Sequence, residues 1–595
     1  MKNLFISVLL IVFLGIYLND TCAQNKIFPE NSNSYSSRKK ILENPSESLM
    51  DINNITSWVK NDGFHDWLVG NLWNGAFPNG NFIGSIFSEG IVWGGLVNDG
   101  GIQLVRVNGN TYLTGCSLST RLFRVRTDYL TSDLISDASN FFNVPVGQVT
   151  QNMIDELRQQ YETDWNEWPA EEGAPFTDNN ENGTYNPETD IPGVTGAQQT
   201  LFIKYNDTAT PLYGADSIGL DISETYWAYA NSGAADNVIF KKVDISYRGI
   251  IITPAGSFID SMYICQWVNA SIGNYSDDFA GCDTSLNLGY AYNADDVDDF
   301  YNGLGLKPPA IGYVFLQGFS SYTGNAMDSA IINLRWQHGY KYANTRPMTR
   351  FIYVATGGTW SEPSLDYTGS LEFYNYMRGY KPYPYYPISW EFPSIVSDYT
   401  TSGVFLLDGD PVTGTGKIDG VLEAPGHRRF FSVSGPFRLD LGETAEVVVA
   451  LVAGMGTSNL NSITKLKENT FIADTTFLGL VNAGQTTILS ISDKISNNVA
   501  PHNFVLHQNY PNPFNPSTKI KFTIPSVETG YIPSLQTTLK VYDVLGNEIE
   551  TLVNEEKQTG TYEITWYAEG LPSGIYFYQL KAGSFTQTKK MILLK

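Results

Sequence analysis

The chain has 595 residues, 42% of them hydrophobic and 13% aromatic but only 16% charged, which leaves room for three or four domains with sizeable cores. Its net charge of −24 argues against nucleic acid and anionic membrane surfaces as partners, and is compatible with divalent cations. Residues 24–500 carry the whole excess, with 28 basic against 52 acidic side chains, whereas residues 501–595 hold eight of each.

The N-terminus reads as a cleavable signal peptide over residues 1–23. Met1-Lys2-Asn3 is a positive start, Leu4 to Leu18 is apolar apart from Ser7 and Gly15, and Thr21 and Ala23 place small residues before Gln24. About 15 apolar residues fall short of the ~20 that span a bilayer. Asn19-Asp20-Thr21 before Cys22 is wrong for a lipobox. No other stretch is apolar enough to cross, so the mature protein is expected to have no membrane span.

Residues 24–55 form a polar leader, Ser/Asn-rich from Asn31 to Ser37. Residues 56–483 read as a β-rich body, in one or several domains, because Gly, Tyr, Asn, Ser and Thr are abundant and charged helix faces are scarce. A strand is expected from Ile102 to Val107, with further strands at Val238–Ile245 and Glu446–Val452. The clearest helix spans residues 148–166, with Thr150 as N-cap and Met153, Ile154, Leu157 and Tyr161 as an apolar stripe. A second helix is expected over Ser462–Asn469, and residues 484–503 read as a linker.

Asp178-Asn179-Asn180-Glu181-Asn182-Gly183-Thr184 matches the first half of an EF-hand-like calcium loop. Alternation turns the oxygens of Asp178, Asn180 and Asn182 inward, Gly183 permits the sharp turn, and Thr184 supplies a backbone carbonyl. Thr189 stands where the bidentate carboxylate belongs, so Glu188 or Asp190 must substitute. Ca²⁺ is the expected ion, set against a plain solvated Asn-rich turn. A looser acidic stretch from Asn269 through Asp277, Asp278, Asp283, Asn293, Asp295, Asp296, Asp298 and Asp299 reads more simply as a surface loop.

Other chemistry is poorly supported. The body has His65, His338 and His427, without zinc spacing or an HExxH motif. Thr413 to Lys417 imitates a phosphate loop but has Pro411 and Ile418 where Gly and Ser/Thr are needed. Glycosidase carboxylate pairs stay open, since Glu171, Glu172, Asp221 and Glu224 lie near Trp168, Tyr226, Trp227 and Tyr229. The Tyr226-Trp227-Ala228-Tyr229 run reads as core packing before it reads as a sugar platform. With Cys22 removed, Cys116, Cys265 and Cys282 remain. One bridge, most naturally Cys265 to Cys282, competes with buried free thiols.

From Phe504 the chain opens with Asn509-Tyr510-Pro511-Asn512-Pro513-Phe514-Asn515-Pro516-Ser517-Thr518, whose prolines hold it extended. Strand-like segments follow at Lys519–Ile524, Thr538–Tyr542, Tyr562–Trp566, Ile575–Leu580 and Lys589–Leu594. Turns between them, such as Leu545-Gly546-Asn547 and Pro572-Ser573-Gly574, complete the pattern of an Ig-like antiparallel β-sandwich. With Val541-Tyr542-Asp543-Val544-Leu545-Gly546, Ser573 to Tyr578 and the terminal Thr588 to Lys595, residues 504–595 resemble the type A sorting domain of type IX secretion cargo. The long connection from Val527 to Gln536 departs from the family pattern. The resemblance implies passage through the periplasm of an outer-membrane bacterium, recognition by the secretion machinery, and release or attachment to surface polysaccharide.

Gly173 to Asp178, Asp190 to Gly193, Gln199 to Phe202 and Ser434 to Phe437 resemble a pattern in large uncharacterised cargo of the same system, which implies no activity. The expectation is therefore mainly β: a secreted or cell-surface protein whose body is a calcium-stabilised, non-enzymatic adhesion, binding or structural module. A secreted polysaccharide hydrolase using Asp/Glu pairs is the alternative.

Overall fold

The computed structural model describes residues 46–483 and 505–593, except 68–73, 81–82, 119–120, 209–210, 231, 234, 359–361, 385–403, 507–508, 510–511, 513, 525–534, 545, 558–559, 569 and 583–584. The expected signal peptide, the linker over 484–503 and most of the Val527–Gln536 connection lie outside the described residues. The chain divides into two units, residues 1–488 and 489–595.

In the first unit, long strands alternate inward apolar and outward residues, and they assemble into two antiparallel sheets. One sheet has nine strands. Its order runs from Asp278–Asp283 through Leu288–Asn293, Ala310–Gln317, Thr444–Gly454, Val238–Tyr247, Leu220–Ala228 and Gln199–Asn206 to Ser117–Leu118, and Phe123–Arg126 also pairs with Gln199–Asn206. The other has seven strands. It runs Arg350–Ala355, Arg428–Asp440, Phe258–Ala270, Gly84–Asn98, Phe64–His65, with Gly75–Ala76 and Val105–Gly109 also on Gly84–Asn98.

Alternate residues of both sheets meet in one core, including Ile91, Trp93, Ile264 and Val268 from the second sheet and Leu201, Ile222, Val243 and Ile245 from the first. The body is thus a two-sheet sandwich in which each strand lends one face to the core. The Tyr226–Tyr229 run is buried as packing expects, with Trp227 stacked on Phe240 at 5.2 Å.

Helices cover the outer faces. Asn459–Ala483 buries Ile463, Leu466, Thr470, Ala473, Phe477 and Leu480, a spacing of three and four that makes one helical face. It runs far past the eight residues expected from the sequence. At Gly454 a Cβ would overlap the Leu466 backbone nitrogen, so only glycine lets helix and strand approach so closely. Tyr367–Arg378, capped by Asp366, packs Phe373 and Tyr376 on Phe431 of the seven-stranded sheet.

The Gln151–Asn166 helix matches its expectation, with the Thr150 side chain accepting the Met153 N–H. It packs with the unexpected helix Ile135–Phe142 over Leu49 and Trp58. Leu49 belongs to the strand Glu47–Met50, paired with Ser57–Lys60, so the stretch read as a polar leader contributes to the fold from Ser46 onward. Arg124 ties this layer down by donating to Asp51 at 2.8 Å and Asp137 at 2.7 Å, both buried. The expected Ile102–Val107 strand instead occupies Val105–Gly109, leaving Ile102 fully exposed.

Cys116, Cys265 and Cys282 are all free and buried. The Cys265–Cys282 bridge does not form, because Cys265 lies in the seven-stranded sheet while Cys282 lies in the nine-stranded one and donates toward the Leu406 carbonyl.

The second unit is a smaller sandwich. Val505–Leu506, Ser517–Ile524 and Gly560–Tyr567 form three strands, and Glu548–Lys557, Leu535–Tyr542, Gly574–Ala582 and Phe585–Leu593 form four. Ile520, Phe522, Leu539, Val541, Trp566, Tyr578 and Met591 fill its core. Asn509 of the Pro/Asn-rich opening is buried and donates to Tyr578 Oη and Thr518 Oγ1. The strand Glu548–Lys557, polar along most of its length, gave no apolar alternation to read.

Candidate functional site

The Asp178–Asp190 loop is closed at its base by the pair Phe176–Thr177 and Ile191–Pro192. Inside it, Asp178 accepts the backbone N–H of Asn182 at 3.2 Å and of Gly183 at 2.7 Å, and Asn180 Oδ1 accepts Asn182 N–H at 3.1 Å. Asn182 Oδ1 accepts Thr184 N–H at 2.7 Å. Gly183 has φ +75°, as the turn requires. Asp190, 2% exposed, reaches back to accept the N–H groups of Asn179 and Asn186. Glu188 is exposed, as are Asn180 and Asn182. Hydrogen bonds accepted by Asp178, Asn180, Asn182 and Asp190 thus hold together one small loop.

The second acidic stretch is dispersed by its backbone duties. Asp298 caps the short helix Asp299–Gly303 and also accepts Asn274 N–H, Asp283 pairs with Lys467 at 3.0 Å, and Asp296 accepts Asn459 N–H. Asp278 is buried and accepts Ile272 N–H, and burial pushes its carboxyl well above the usual range. Among the described residues, no group of three His, Cys, Asp or Glu side chains is arranged to hold a metal ion.

The carboxylates weighed as a glycosidase set do not meet. Glu171 and Glu172 are exposed, and Asp221 faces outward near Arg248 at 4.0 Å. Glu224 points into the core, where a sealed network forms. Its Oε1 accepts Tyr205 Oη at 2.5 Å, and its Oε2 contacts His65 Nε2 at 3.0 Å and accepts Tyr226 Oη at 2.6 Å. Tyr226 Oη also lies 3.4 Å from Glu89 Oε1, while Glu89 Oε2 accepts Lys241 Nζ at 2.7 Å and Gln266 Nε2 at 2.5 Å.

The charges in this network are set by neighbours. Burial would raise the Glu224 carboxyl, but His65, Lys241 and the Tyr205 hydroxyl hold it down to about 2. Burial opposes a charged His65, the Glu224 carboxylate outweighs it, and the imidazole titrates above its ordinary value. Its Nδ1 accepts the Lys60 N–H at 3.1 Å, which defines the neutral tautomer as Nε2–H. Burial and the Glu89 charge push Asp66 up to about 7. Side-chain exposure here is 0% for His65 and Glu224, 1% for Glu89 and 2% for Lys241, so no substrate reaches these groups.

The opposite face of the same sheet is different. Ser88, Asn269 and Arg429 are register partners on three adjacent strands. Their Oγ, Oδ1 and Nε atoms are buried without hydrogen-bond partners, as are Trp267 Nε1 and Glu362 Oε2. Tyr112 packs edge-on to Trp267 at 5.1 Å, donates to Glu362 Oε1 at 2.6 Å and lies under the Arg429 guanidinium. Arg429 Nε stands 3.6 Å from Glu362 Oε1, and its NH1 donates to exposed Thr356. Burial raises the Glu362 carboxyl against the pull of Arg429 and the Tyr112 hydrogen bond. Nearby His427 is lowered to about 3 by burial and by Arg429 and Arg428. This group was missed by sequence reasoning, since its members are scattered from residue 88 to 429 and have no motif spacing.

Residues 508–594 match the family described as the secretion system C-terminal sorting domain. The chain is cargo of the type IX secretion system, exported to the cell surface or beyond it. No curated protein matches the chain. Among solved structures, a polysaccharide lyase is similar at 6% identity over 66% of this chain and 39% of that one, with a TM-score of 0.18. A likeness that low carries no argument about function. No helix among the described residues is long and apolar enough to cross a membrane.

Proposed function

We propose that the exported body is a non-enzymatic module for adhesion or binding at the cell surface, in contact with polysaccharide, and that Ca²⁺ orders its Asp178–Asp190 loop. The observation that supports it best is the sealing of its buried carboxylates. Glu89 and Glu224 are locked in hydrogen bonds with side chains 1% and 0% exposed, where no polysaccharide reaches them. In the loop, Asp178, Asn180 and Asn182 side chains and the Thr184 carbonyl would hold the ion with Asp190, a ligand set low in charge and therefore of modest affinity.

The full mature chain is tested with calcium on a panel of polysaccharides. Retention on a polysaccharide matrix without release of reducing ends is expected; release of reducing ends above a no-protein control sinks the reading. The calcium part has its own test. The native chain should melt at lower temperature in a chelator than in calcium, and Asp178→Ala should abolish that difference. Coincident melts of the native chain would remove the metal, leaving the rest untouched.

A further inference from the structure

We propose that two neighbouring loops at one end of the sandwich, residues 99–104 and 249–257, dock on a lipid bilayer with net-neutral headgroups, which Ile102, Ile251 and Ile252 enter. The proposal goes beyond the polysaccharide reading above and stands without it.

Strand register brings the loops together. Asn98, where one strand ends, is paired with Phe258, where its neighbour begins. Beyond that pair, a Cβ at Gly100 would stand 4.0 Å from the Pro254 ring. Both loops are held in shape. The Thr253 N–H donates to the Ile250 carbonyl at 2.9 Å and the Ile250 N–H donates to Thr253 Oγ1 at 2.8 Å, which closes a β-turn. In the other loop Gln103 Oε1 accepts the Asp216 N–H at 2.7 Å, and Asp99 pairs with Arg106 at 2.7 Å.

The side chains on the first of these turns break the rule for turns. Central positions ordinarily carry Gly, Asn, Asp, Pro or Ser. The next turn obeys, with Gly256 at φ +81° and the Ser257 N–H donating to the Pro254 carbonyl at 3.2 Å. Ile251 and Ile252 instead fill both centres of the Ile250–Thr253 turn, at 104% and 80% exposure, where they gain nothing from packing. In the adjoining loop Ile102 stands at 101% exposure and Leu104 at 47%. Large aliphatic side chains held out by rigid turns, against local propensity, mark a contact with something outside the chain.

Shape, composition and charge choose the partner. Side chains so completely exposed project singly, so a protein would need a pocket for each, whereas an acyl layer yields to any outline. Protein interfaces are anchored by aromatic residues, Met and Arg, and none of these stands in Gly100 to Val105 or Gly249 to Ser257. Neither stretch holds a charged side chain, so both can leave water without burying a charge. A net charge of −24 repels the chain from an anionic headgroup layer, which leaves neutral ones.

The full mature chain is floated on a density gradient with phosphatidylcholine vesicles and, separately, with vesicles rich in phosphatidylglycerol. Flotation with the first, and less with the second, is expected. Ile251→Asn, Ile252→Gly and Ile102→Ser should each lower the partition coefficient on phosphatidylcholine by about tenfold. The first two restore ordinary turn residues, so their melting curves should match that of the native chain. Leu130→Ser, at an exposed aliphatic outside the two loops, should leave partitioning unchanged.

No flotation of the folded native chain overturns the proposal, as does undiminished flotation of all three loop variants. Stronger flotation with phosphatidylglycerol would assign the contact to charge and overturn it likewise. Self-association in sedimentation that the same variants abolish, without flotation, would give the loops to a second copy of the chain instead. Retention on the polysaccharide matrix is read separately, so failure here leaves the binding reading where it stood.

Discussion

Glu89 and Ser88 are neighbours in one strand, as are Arg428 and Arg429 in another, yet each pair straddles two chemical worlds. On the inner side Glu89 is bonded by Lys241 and Gln266, and Arg428 is held by Asp419 through two nitrogens, at 2.7 and 3.1 Å. On the outer side Ser88 Oγ and Arg429 Nε have no hydrogen-bond partner. Burial is not what separates them, since Ser88 and Glu89 are equally hidden at 1% exposure. The difference at these four residues is pairing: Glu89 and Arg428 are answered by protein, while Ser88 Oγ and Arg429 Nε are not. A two-residue period is enough to give one strand two differently paired sides.

The comparison can be broken most sharply at Lys241. Lys241→Met removes the cation from Glu89 and leaves a buried charge, which should cost about 3–5 kcal/mol in denaturant unfolding. A loss below about 1 kcal/mol would mean the inner network is slack.

Next comes pH. Asp66 is pushed up to about 7 in the folded chain from an ordinary value of 3.8, so the folded state holds a proton that the unfolded state has released between those limits. Its contribution to stability is therefore fully present below the lower value and is lost as pH rises to the upper one. Asp66→Asn mimics the protonated form and suits the left-handed backbone at φ +59°. It should stabilise the chain at pH 7.5 relative to pH 4.5 by roughly 1–3 kcal/mol, at about 1.4 kcal/mol for each tenfold change in proton affinity. An unchanged stability–pH slope would contradict the assignment.

The smallest effect belongs to Ser88→Ala. It discards a hydroxyl that the protein leaves unpaired, so stability should move by less than about 0.5 kcal/mol despite complete burial. A loss of about 2 kcal/mol would reveal a hidden internal partner and erase the contrast between the two faces.

Much of the frame was legible in the sequence. The Thr150-capped helix, the strands at Val238 and Glu446 and five strands of the sorting domain all carried their period openly. The Asn459–Ala483 helix was read as eight residues because Thr470, Thr475 and Thr476 blur its stripe, which only packing over Gly454 makes clear. The Asp178 turn was legible because its Asp, Asn and Gly positions all lie in one short segment. Neither polar cluster was. His65, Glu89, Glu224 and Lys241 are joined by strand register across some 176 residues, and no local pattern announces which strands will neighbour one another. Long-range pairing, which hid the outer row, also decides between the bridge and the buried free thiols that the sequence left open, since Cys265 and Cys282 are close in sequence but belong to different sheets.

Those cysteines carry a further implication for the route outward. Export takes the chain through a compartment that oxidises exposed thiols. Burial pushes all three thiols well above their usual range, so the folded body presents almost no thiolate to an oxidant. That protection arrives only with the fold, and the fold is built from distant partners: Gly84–Asn98 must find Phe258–Ala270, which must find Arg428–Asp440. Sandwiches with such remote pairings fold slowly. Until then the sulfurs of Cys116, Cys265 and Cys282 are unprotected, and crosslinking ahead of folding competes with their burial.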